Sequence, residues 1–455
     1  MIKNMSEAIK NIRIIILSSW KRLKGEGIGA VLVRGAGGSF IVMIIGAVMA
    51  FCTNMLLARL MGVSQYGIYI YALTWINLLA LVSKLGMDNS LLRFSAAYNA
   101  KNEWGLFRGI LGHSIKYVFI ASVLIGVTAG IIIWFLKDYM GMSQAKTFWI
   151  ALLLLPLLVL TGLRSATLRA LKRVVKAALP ESFFRPLIIV ILASFSFLFT
   201  QNDLSAIQVM LFNLIGLLVA FYIGTLWLIK HIPEQLHNAP ADYRKKEWIK
   251  VSLTMFFMSA MSLVLHQTDI IMIGILLDTE QVGVYSVASR VSGLVAFGLV
   301  AVNAIAVPMI AELYSTGKHQ QLQRMITLAA RGIFIVTLVA CVALVVIGDY
   351  VLGLFGEEFI IAYIPLLILM GGESVHALAG SVGFLMTMTG HQNQAAVIVG
   401  ISALINITLN IMLIPRLGII GAATATAVVI ALRTIIMLAY VWLKLNINPT
   451  VLARL

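Results

Sequence analysis

Long apolar stretches separated by short polar turns run along most of the chain. Twelve of these stretches are long enough to cross a bilayer, which takes about 20 mostly apolar residues in a helix. Because lipid offers no hydrogen-bond partners, each stretch must satisfy its own backbone groups, so we predict helices throughout. The predicted spans are 36–58, 65–87, 112–136, 147–170, 179–200, 205–229, 250–277, 281–311, 324–348, 359–389, 393–414 and 418–442.

A polar, proline-containing segment at 230–249 separates the sixth and seventh predicted spans. We interpret it as a cytoplasmic linker between two six-helix lobes, 36–229 and 250–455, with 1–35 as a basic cytoplasmic N-terminal segment. An even helix count per lobe keeps both lobes in the same orientation, so a pseudo-twofold axis should stand along the membrane normal. The predicted fold is an all-α integral membrane protein of about twelve transmembrane helices around a central cavity.

An internal repeat supports the two-lobe organisation. The polar turns at 62–69 and 278–285 each lead into a long apolar stretch, and three of their residues match at a constant offset of 216 positions. Many transporters are built from paired halves with the substrate site between them. The matched pairs are Gln65 with Gln281, Gly67 with Gly283, and Tyr69 with Tyr285.

Composition indicates that the solvent of this chain is lipid. Of its 455 residues, 61% are hydrophobic and 11% are charged, whereas soluble domains carry about 25% charged residues. Its two cysteines, Cys52 and Cys341, both fall in apolar stretches. The sequence therefore predicts neither a disulfide framework nor a metal site.

Basic residues concentrate on one side of the predicted membrane. Of the 34 Lys and Arg residues, 28 fall in the termini and in alternate loops, which predicts a multi-pass protein of the plasma (inner) membrane with both termini cytoplasmic. The net charge of +16 then comes from loops that face anionic lipid, and nucleic-acid binding is not needed to explain it. Residues 6–24 fit either an interfacial helix or a flexible basic tail.

The two repeated turns and four further stretches resemble motifs of a known family. Those stretches are 57–62, 85–94, 269–274 and 406–423. Together they resemble the polysaccharide-transporter family, which exports lipid-linked sugars and shares a superfamily with multidrug-extrusion proteins and lipid II flippases. The resemblance implies two six-helix bundles around a cavity and alternating access for a polyprenyl-diphosphate-linked oligosaccharide.

Ionisable residues inside spans cost about 2.5–3.5 kcal/mol on insertion scales and usually face a cavity or a partner. Asp269 and Arg290 lie at similar depth, about 13 Å inside the outer boundary, on consecutive antiparallel helices. Either they form a salt bridge, or they line the cavity, with Arg290 on substrate phosphate and Asp269 holding Arg290 or a coupling ion. His266, one turn before Asp269, fits proton coupling or a hydrogen bond within the bundle.

The second predicted helix carries a polar stripe. Tyr66, Asn77, Lys84 and Asp88 fall within about 40° of one another around the helix axis. The stripe fits a wetted cavity face, or helix packing with side chains that extend to the membrane surface. Lys84 and Arg93 lie near the inner end, where they are candidates for capturing a diphosphate.

Four other positions carry candidate chemistry. Arg34 precedes a glycine-rich stretch and either reaches the membrane surface or receives a phosphate at the rim. Glu373, His376, Gly380 and Thr387 share one face of the tenth predicted helix, where the Glu–His pair fits a cation or proton site or a structural hydrogen bond. Asn406 and Asn410 would bridge helices or contact sugar hydroxyls. Arg433, deep in the last span, needs a partner or the cavity.

We therefore predict a flippase rather than an enzyme, moving its cargo from the cytoplasmic to the outer leaflet for O-antigen, capsule or exopolysaccharide synthesis. Its partners would be the lipid-linked oligosaccharide, membrane lipid and polysaccharide assembly proteins, with proton or sodium coupling and no other cofactor. The predicted substrate-binding residues are Arg34, Asn77, Lys84, Arg93, Arg290 and Arg433. The predicted ion-coupling or charge-partner residues are Asp88, His266, Asp269, Glu373 and His376.

Two alternatives remain open from the sequence. A cation-coupled multidrug exporter would favour an acid-rich cavity and cationic cargo, whereas several candidates here are cationic. A membrane-embedded glycosyl polymerase or ligase would need a large outer loop with catalytic residues, and the predicted outer loops are short.

Overall fold

The computed structural model describes residues 28–200 and 202–453, without the side chains of 28–40, 200, 258, 301, 304, 305 and 308. Throughout these described ranges the regular structure is helical, as predicted. The interfacial helix or tail considered for 6–24 lies outside the described residues, and so does the side chain of Arg34.

The described helices follow one another with short connections. A π-helical turn, Pro180–Phe184, joins α5 to α6, and a 3-10 helix, Glu357–Ala362, joins α12 to α13. The α-helices are α1 Ile28–Lys84, α2 Met87–Lys101, α3 Trp104–Leu136, α4 Met142–Ala170, α5 Val174–Leu179, α6 Arg185–Thr200, α7 Ala206–His231, α8 Glu234–Asn238, α9 Lys245–Leu276, α10 Thr279–Gly293, α11 Phe297–Ser315, α12 His319–Gly353, α13 Tyr363–Ala379, α14 Val382–Met388, α15 Gln392–Leu417 and α16 Ile419–Leu445.

Ten helical segments of the described chain are long and apolar enough to cross a membrane. One of them, α1, holds the first two predicted spans, which are separated by a kink at Gly62. The backbone there has φ 68° and ψ 169°, a conformation that residues with a Cβ avoid. The eighth predicted span, 281–311, is divided between α10 and α11. The protein is thus an all-α membrane protein, and its helices are consistent with about twelve crossings.

Two predicted helices are shorter than the sequence pattern suggested. The second span ends at Lys84 rather than at 87, because Leu85 and Gly86 have positive φ values of 46° and 73°. Asp88 therefore belongs to a separate helix, α2. The tenth span breaks at Gly380, where φ is 58°, so the polar face predicted for 359–389 is shared by α13 and α14.

The buried apolar side chains form three clusters. The largest joins both predicted lobes at the helix ends that the charge pattern predicts to be outer, and includes Tyr66 and Tyr285. The other two lie towards the predicted inner ends, one around Phe107 in the first half and one around Leu385 in the second. The two halves thus share a core on one side of the membrane and have separate cores on the other.

The polar segment between the halves packs against α3. The guanidinium of Arg108 donates to the backbone carbonyls of His237 and Ala239, at 2.7 and 2.8 Å. Trp248, at the start of α9, is fully buried, and its indole nitrogen donates to the hydroxyl of Tyr98 at 3.0 Å. The start of α9 therefore belongs structurally to the first half, whereas the lobe boundaries remain a prediction.

Candidate functional site

A polar cavity of about 480 Å³ lies between the two halves of the molecule, where α1 and α4 face α9. We call it the interlobe cavity. Lys84, at the end of α1, and Asn77, two turns earlier, both line it. Its polar lining consists of Asn77, Lys84, Ser259, Ser262, His266 and Gln267.

The α9 side of the interlobe cavity is polar without being charged. Ser262 lies one turn before His266 and Ser259 lies two turns before it, so the three share a helix face. Both serines and Gln267 are absent from the residues predicted to bind substrate, because neutral side chains do not stand out in a span as charged ones do. Their spacing relative to His266 is the signal that could have found them.

Lys84 carries the only ammonium of the interlobe lining as described. Its Nζ lies 3.0 Å from Oδ2 of Asp88, across the backbone turn that ends α1. Both side chains are half-buried and retain about a quarter of their exposed area, 23% and 24%. The pair is thus formed at the edge of the cavity, where another anion can reach the ammonium.

A second cavity, of about 320 Å³, lies within the second half and is lined by α9, α10, α11, α13, α15 and α16. We call it the second-lobe cavity. It borders the interlobe cavity through His266, which lines both. Its ionisable lining residues are His266, Asp269, Glu373, His376 and Arg433.

Asp269 is held by neutral donors rather than by Arg290. Its carboxylate accepts hydrogen bonds from the hydroxyl of Tyr285 at 2.6 Å and from the amide of Asn410 at 2.8 Å. The hydroxyl of Thr426 donates to it as well. The salt bridge considered between Asp269 and Arg290 is therefore not formed, since the ion pairs among the described residues do not include it.

The donors around Asp269 are themselves linked. The amide nitrogen of Asn410 also lies 3.1 Å from Oδ1 of Asn406, and the amide of Asn406 donates to Thr426 at 3.2 Å. The carbonyl oxygen of Asn410 is buried and lacks a hydrogen-bond partner in the described structure. The two asparagines therefore bridge α9, α15 and α16, and one oxygen acceptor beside the carboxylate is left free.

Arg290 lies at the contact between the halves. Its guanidinium is next to the hydroxyl of Tyr66 on α1, and that hydroxyl donates to Oδ1 of Asn54 at 3.2 Å. The Nε atom of Arg290 is buried and has no hydrogen-bond partner in the described structure. Arg290 does not line the interlobe cavity or the second-lobe cavity, and its contact with phosphate stays a prediction.

Glu373 and His376 form the pair that the sequence predicted on one helix face, with 3.6 Å between Oε2 and Nδ1. Arg433 lies in the same cavity, on α16. A third cavity of about 420 Å³ shares His376 and Arg433 with the second-lobe cavity and Ser262 with the interlobe cavity. The three spaces therefore adjoin one another.

The described cavity lining is balanced in charge rather than cationic. Lys84 and Arg433 contribute two positive charges, and Asp269 and Glu373 contribute two negative ones. Arg93 is exposed and packs on the ring of Phe94, with 5.9 Å from Cζ to the ring centroid. Most of the predicted substrate-binding residues are cationic, whereas the described lining of the two cavities holds only Lys84 and Arg433 of these cations.

The fold is that of transporters of the MOP superfamily. An inward-facing multidrug resistance MATE family transporter aligns with a TM-score of 0.71 over 90% of this chain and 98% of that one, at 13% identity. A lipid II flippase in an inward closed conformation aligns with a TM-score of 0.68 over 89% and 87%, at 15% identity. At these identities the likeness shows the fold alone.

Residues 32–314 match the family model described as "Polysaccharide biosynthesis protein", and the chain belongs to that family. This confirms the resemblance inferred from the motifs. A segment of 172 residues is 33% identical to a "Probable low-salt glycan biosynthesis flippase" of Haloferax volcanii, over 37% of this chain and 36% of that protein. An uncharacterized membrane protein of Methanocaldococcus jannaschii is 23% identical over 425 residues, 87% and 80% of the two chains. The chain thus matches about a third of the length of the flippase relative.

Proposed function

We propose that this protein is a flippase for a polyprenyl-diphosphate-linked oligosaccharide, moving it from the cytoplasmic to the outer leaflet of the plasma membrane. The observation that carries the proposal is the interlobe cavity, a polar space between two apolar halves. Membership of the polysaccharide biosynthesis family and the glycan flippase among its relatives support this cargo. The outer product would feed O-antigen, capsule or exopolysaccharide synthesis, and assembly proteins for that polymer are the proposed partners.

The polar head of the cargo would cross through the interlobe cavity while its polyprenyl tail stays in lipid. Lys84 would bind the diphosphate, exchanging its pairing with Asp88 for charge-assisted hydrogen bonds to phosphate oxygens. Asn77 and Gln267 offer amide donors and acceptors to sugar hydroxyls, and the serines of α9 add hydroxyls. These groups bind without forming covalent bonds, so we propose no reaction. Rocking of the two halves would alternate access to the cavity.

We further propose that Asp269 couples transport to a proton or a sodium ion. Carboxylate, amide carbonyl and hydroxyl oxygens are the ligands that small hard cations prefer, and the free carbonyl oxygen of Asn410 adds to that set. A buried carboxylate surrounded by neutral donors is also costly in a membrane. Uptake of a proton or a cation would remove that cost. Opening of the second-lobe cavity would then release the bound ion.

A transport assay with Lys84 variants tests the cargo. In proteoliposomes loaded with a polyprenyl-diphosphate oligosaccharide, we expect Lys84→Ala to slow exposure of the sugar to an external impermeant glycosidase about tenfold, since hydrogen bonds to charged groups contribute ~1.5–3 kcal/mol. Lys84→Arg should retain most activity. Lys116→Ala, which removes an exposed lysine of α3, is the matched control. Equal rates for Lys84→Ala and Lys116→Ala would show that Lys84 does not bind the diphosphate.

A cation-coupled multidrug exporter is the second candidate function. The two carboxylates that line the second-lobe cavity, Asp269 and Glu373, favour it. The same vesicles distinguish the two functions when they are loaded with ethidium, a lipophilic organic cation. Export of ethidium without exposure of the lipid-linked sugar would replace the flippase proposal with this one.

A further inference from the structure

The two copies of the repeated turn meet each other in the structure. Gly67 on α1 and Gly283 on α10 pack backbone against backbone. A Cβ atom on Gly67 would lie 1.8 Å from the carbonyl oxygen of Thr279, and one on Gly283 would lie 2.7 Å from that of Val63. Real Cβ atoms do not approach backbone oxygens so closely, so only glycine fits at either position.

This contact is reciprocal. Val63 precedes Gly67 by four residues, and Thr279 precedes Gly283 by four, so each glycine touches the equivalent carbonyl of the other copy. The pairs Val63–Thr279 and Gly67–Gly283 are both related by the 216-residue offset. A contact in which i meets j and j meets i is what a twofold axis between two copies produces. The pseudo-twofold axis therefore passes between the two glycines.

The other repeated residues bond within their own halves. Gln65 accepts hydrogen bonds from the backbone nitrogen of Ala206 at 3.0 Å and from the hydroxyl of Ser143 at 3.3 Å. The hydroxyl of Tyr69 accepts from Asn213 at 2.7 Å, and Tyr285 donates to Asp269, as described above. Gln65 and the two tyrosines thus fix α1 and α10 to their own halves, and the two glycines are the repeated residues that touch across the contact.

The contact between Tyr66 and Arg290 also crosses here, and further contacts flank the glycines. The backbone nitrogen of Val63 donates to Oε2 of Glu358 at 3.1 Å, and Phe51 meets Phe355 edge-on, with 5.5 Å between ring centroids. Both contacts join α1 to the segment between α12 and α13. They can break without disturbing the packing inside either half, whereas the side-chain bonds of Gln65 and Tyr69 stay intact.

We infer that the glycine contact of the repeated turns is a gate that closes the outer side of the transport path and separates when the cargo leaves. The role of this gate in transport rests on the proposed flippase function. Its opening and closing depend only on the two halves and can be measured without cargo. The shared apolar core lies on the gate side of the molecule, and the adjoining cavities lie on the other. At the two glycines backbone meets backbone, so the halves approach fully there and no side chain of these two residues has to disengage when they part.

Alanine at either glycine should shift the molecule towards the outward-open state. The added methyl group meets a backbone carbonyl, which cannot rotate away as a side chain can, so the halves have to separate. The effect should be larger for Gly67→Ala, where the clash is 1.8 Å, than for Gly283→Ala, where it is 2.7 Å. Gly112→Ala is the matched control, because a Cβ there meets nothing within 4 Å.

Cysteine labelling measures this shift without any cargo. Cys52 and Cys341 are replaced by serine, and Ser289→Cys provides a reporter in the lining of the second-lobe cavity. In right-side-out vesicles, an impermeant maleimide added outside should label the reporter about fivefold faster in Gly67→Ala than in the parent, because a larger fraction of the molecules is outward-open. Gly112→Ala should match the parent.

Glu358→Ala gives a second measurement that adds no bulk. It removes the bond to Val63 and should raise labelling by a smaller factor, whereas Glu357→Ala, its exposed neighbour, should not. Unchanged labelling in Gly67→Ala, Gly283→Ala and Glu358→Ala, in proteins that elute as folded monodisperse species, overturns the gate. If the glycine variants do not fold, Glu358→Ala alone decides. If the proposed cargo is wrong, the parent protein will not transport the lipid-linked oligosaccharide, but the labelling rates will still change as expected.

Discussion

At the scale of single residues, the structure separates charges that bind from charges that hold helices together. Arg164 is one of the basic residues near the predicted inner side, yet it is 4% exposed within α4. Its guanidinium donates to the carbonyls of Ala220 and Phe221 and to Glu181, at 3.0, 2.9 and 3.1 Å. Gly224 makes room for it, since a Cβ there would lie 2.3 Å from Cζ of Arg164. This arginine therefore joins α4 to α7 and to the π-helical turn.

Removing the acid from this network should destabilise the protein. Glu181→Ala leaves Arg164 buried without its counter-charge, which costs about 3–5 kcal/mol in other proteins. We expect a loss of that order in the free energy of unfolding, measured by denaturant titration in detergent. Glu234→Ala, which removes an exposed acid of α8, is the control and should change it little. A similar small change in both variants would show that the carbonyls alone satisfy Arg164.

At the scale of single elements, helix α9 packs against both halves of the molecule. Its first turn is buried in the core around Phe107 through Trp248, and its last turns carry Asp269 into the second-lobe cavity. Gly86 lets the start of α2 approach α9, because a Cβ there would lie 2.2 Å from the carbonyl of Ser252. Motion of the halves therefore has to be taken up within or beyond α9, and the docked segment before it moves with the first half.

Trp248→Ala should detach the start of α9 from α3. Truncation of a buried tryptophan costs about 3–5 kcal/mol in protein cores, and here it also removes the bond to Tyr98. We expect a matching loss in the free energy of unfolding and faster trypsin cleavage after the basic cluster 244–246. Trp442→Ala, at a tryptophan that is 60% exposed, is the control. Unchanged cleavage would mean that Arg108 and the backbone bonds hold the segment without Trp248.

The whole molecule combines a closed side and an open one. The halves share one apolar cluster at the gate and have separate clusters at the other ends. The interlobe cavity lies between the separate clusters, next to the half-buried pair of Lys84 and Asp88. By the predicted orientation this is an inward-facing arrangement, in which the proposed cargo would reach the cavity from the cytoplasmic leaflet before the proposed gate parts.

The proposed coupling would belong to the whole molecule, because ion release in the second half would have to change access between the halves. Asp269→Asn keeps the size of the side chain and removes its charge, so transport should no longer respond to an imposed proton or sodium gradient. The measurement is sugar exposure in proteoliposomes with and without each gradient. Asp203→Asn, at an exposed acid before α7, should keep the response. A gradient response that survives Asp269→Asn would place coupling elsewhere.

The sequence by itself determined the solvent, the helices and the family. Apolar length and the scarcity of charge require spanning helices whatever their packing, because lipid leaves the backbone no other partners. Charged candidates such as Lys84, Asp269 and Arg433 stood out for the same reason, since each is costly in lipid. Neutral cavity residues such as Ser262 and Gln267 carry no such cost and could not be singled out.

The tertiary structure decided which residues meet. Periodicity placed Asp269 and Arg290 at one depth, but rotation about each helix axis turned Asp269 towards Asn410 and Arg290 towards Tyr66. The repeat predicted two related halves, and only the packing showed that Gly67 and Gly283 touch across the axis. Contacts between distant segments depend on how helices rotate and approach, which the order of residues along one helix does not specify.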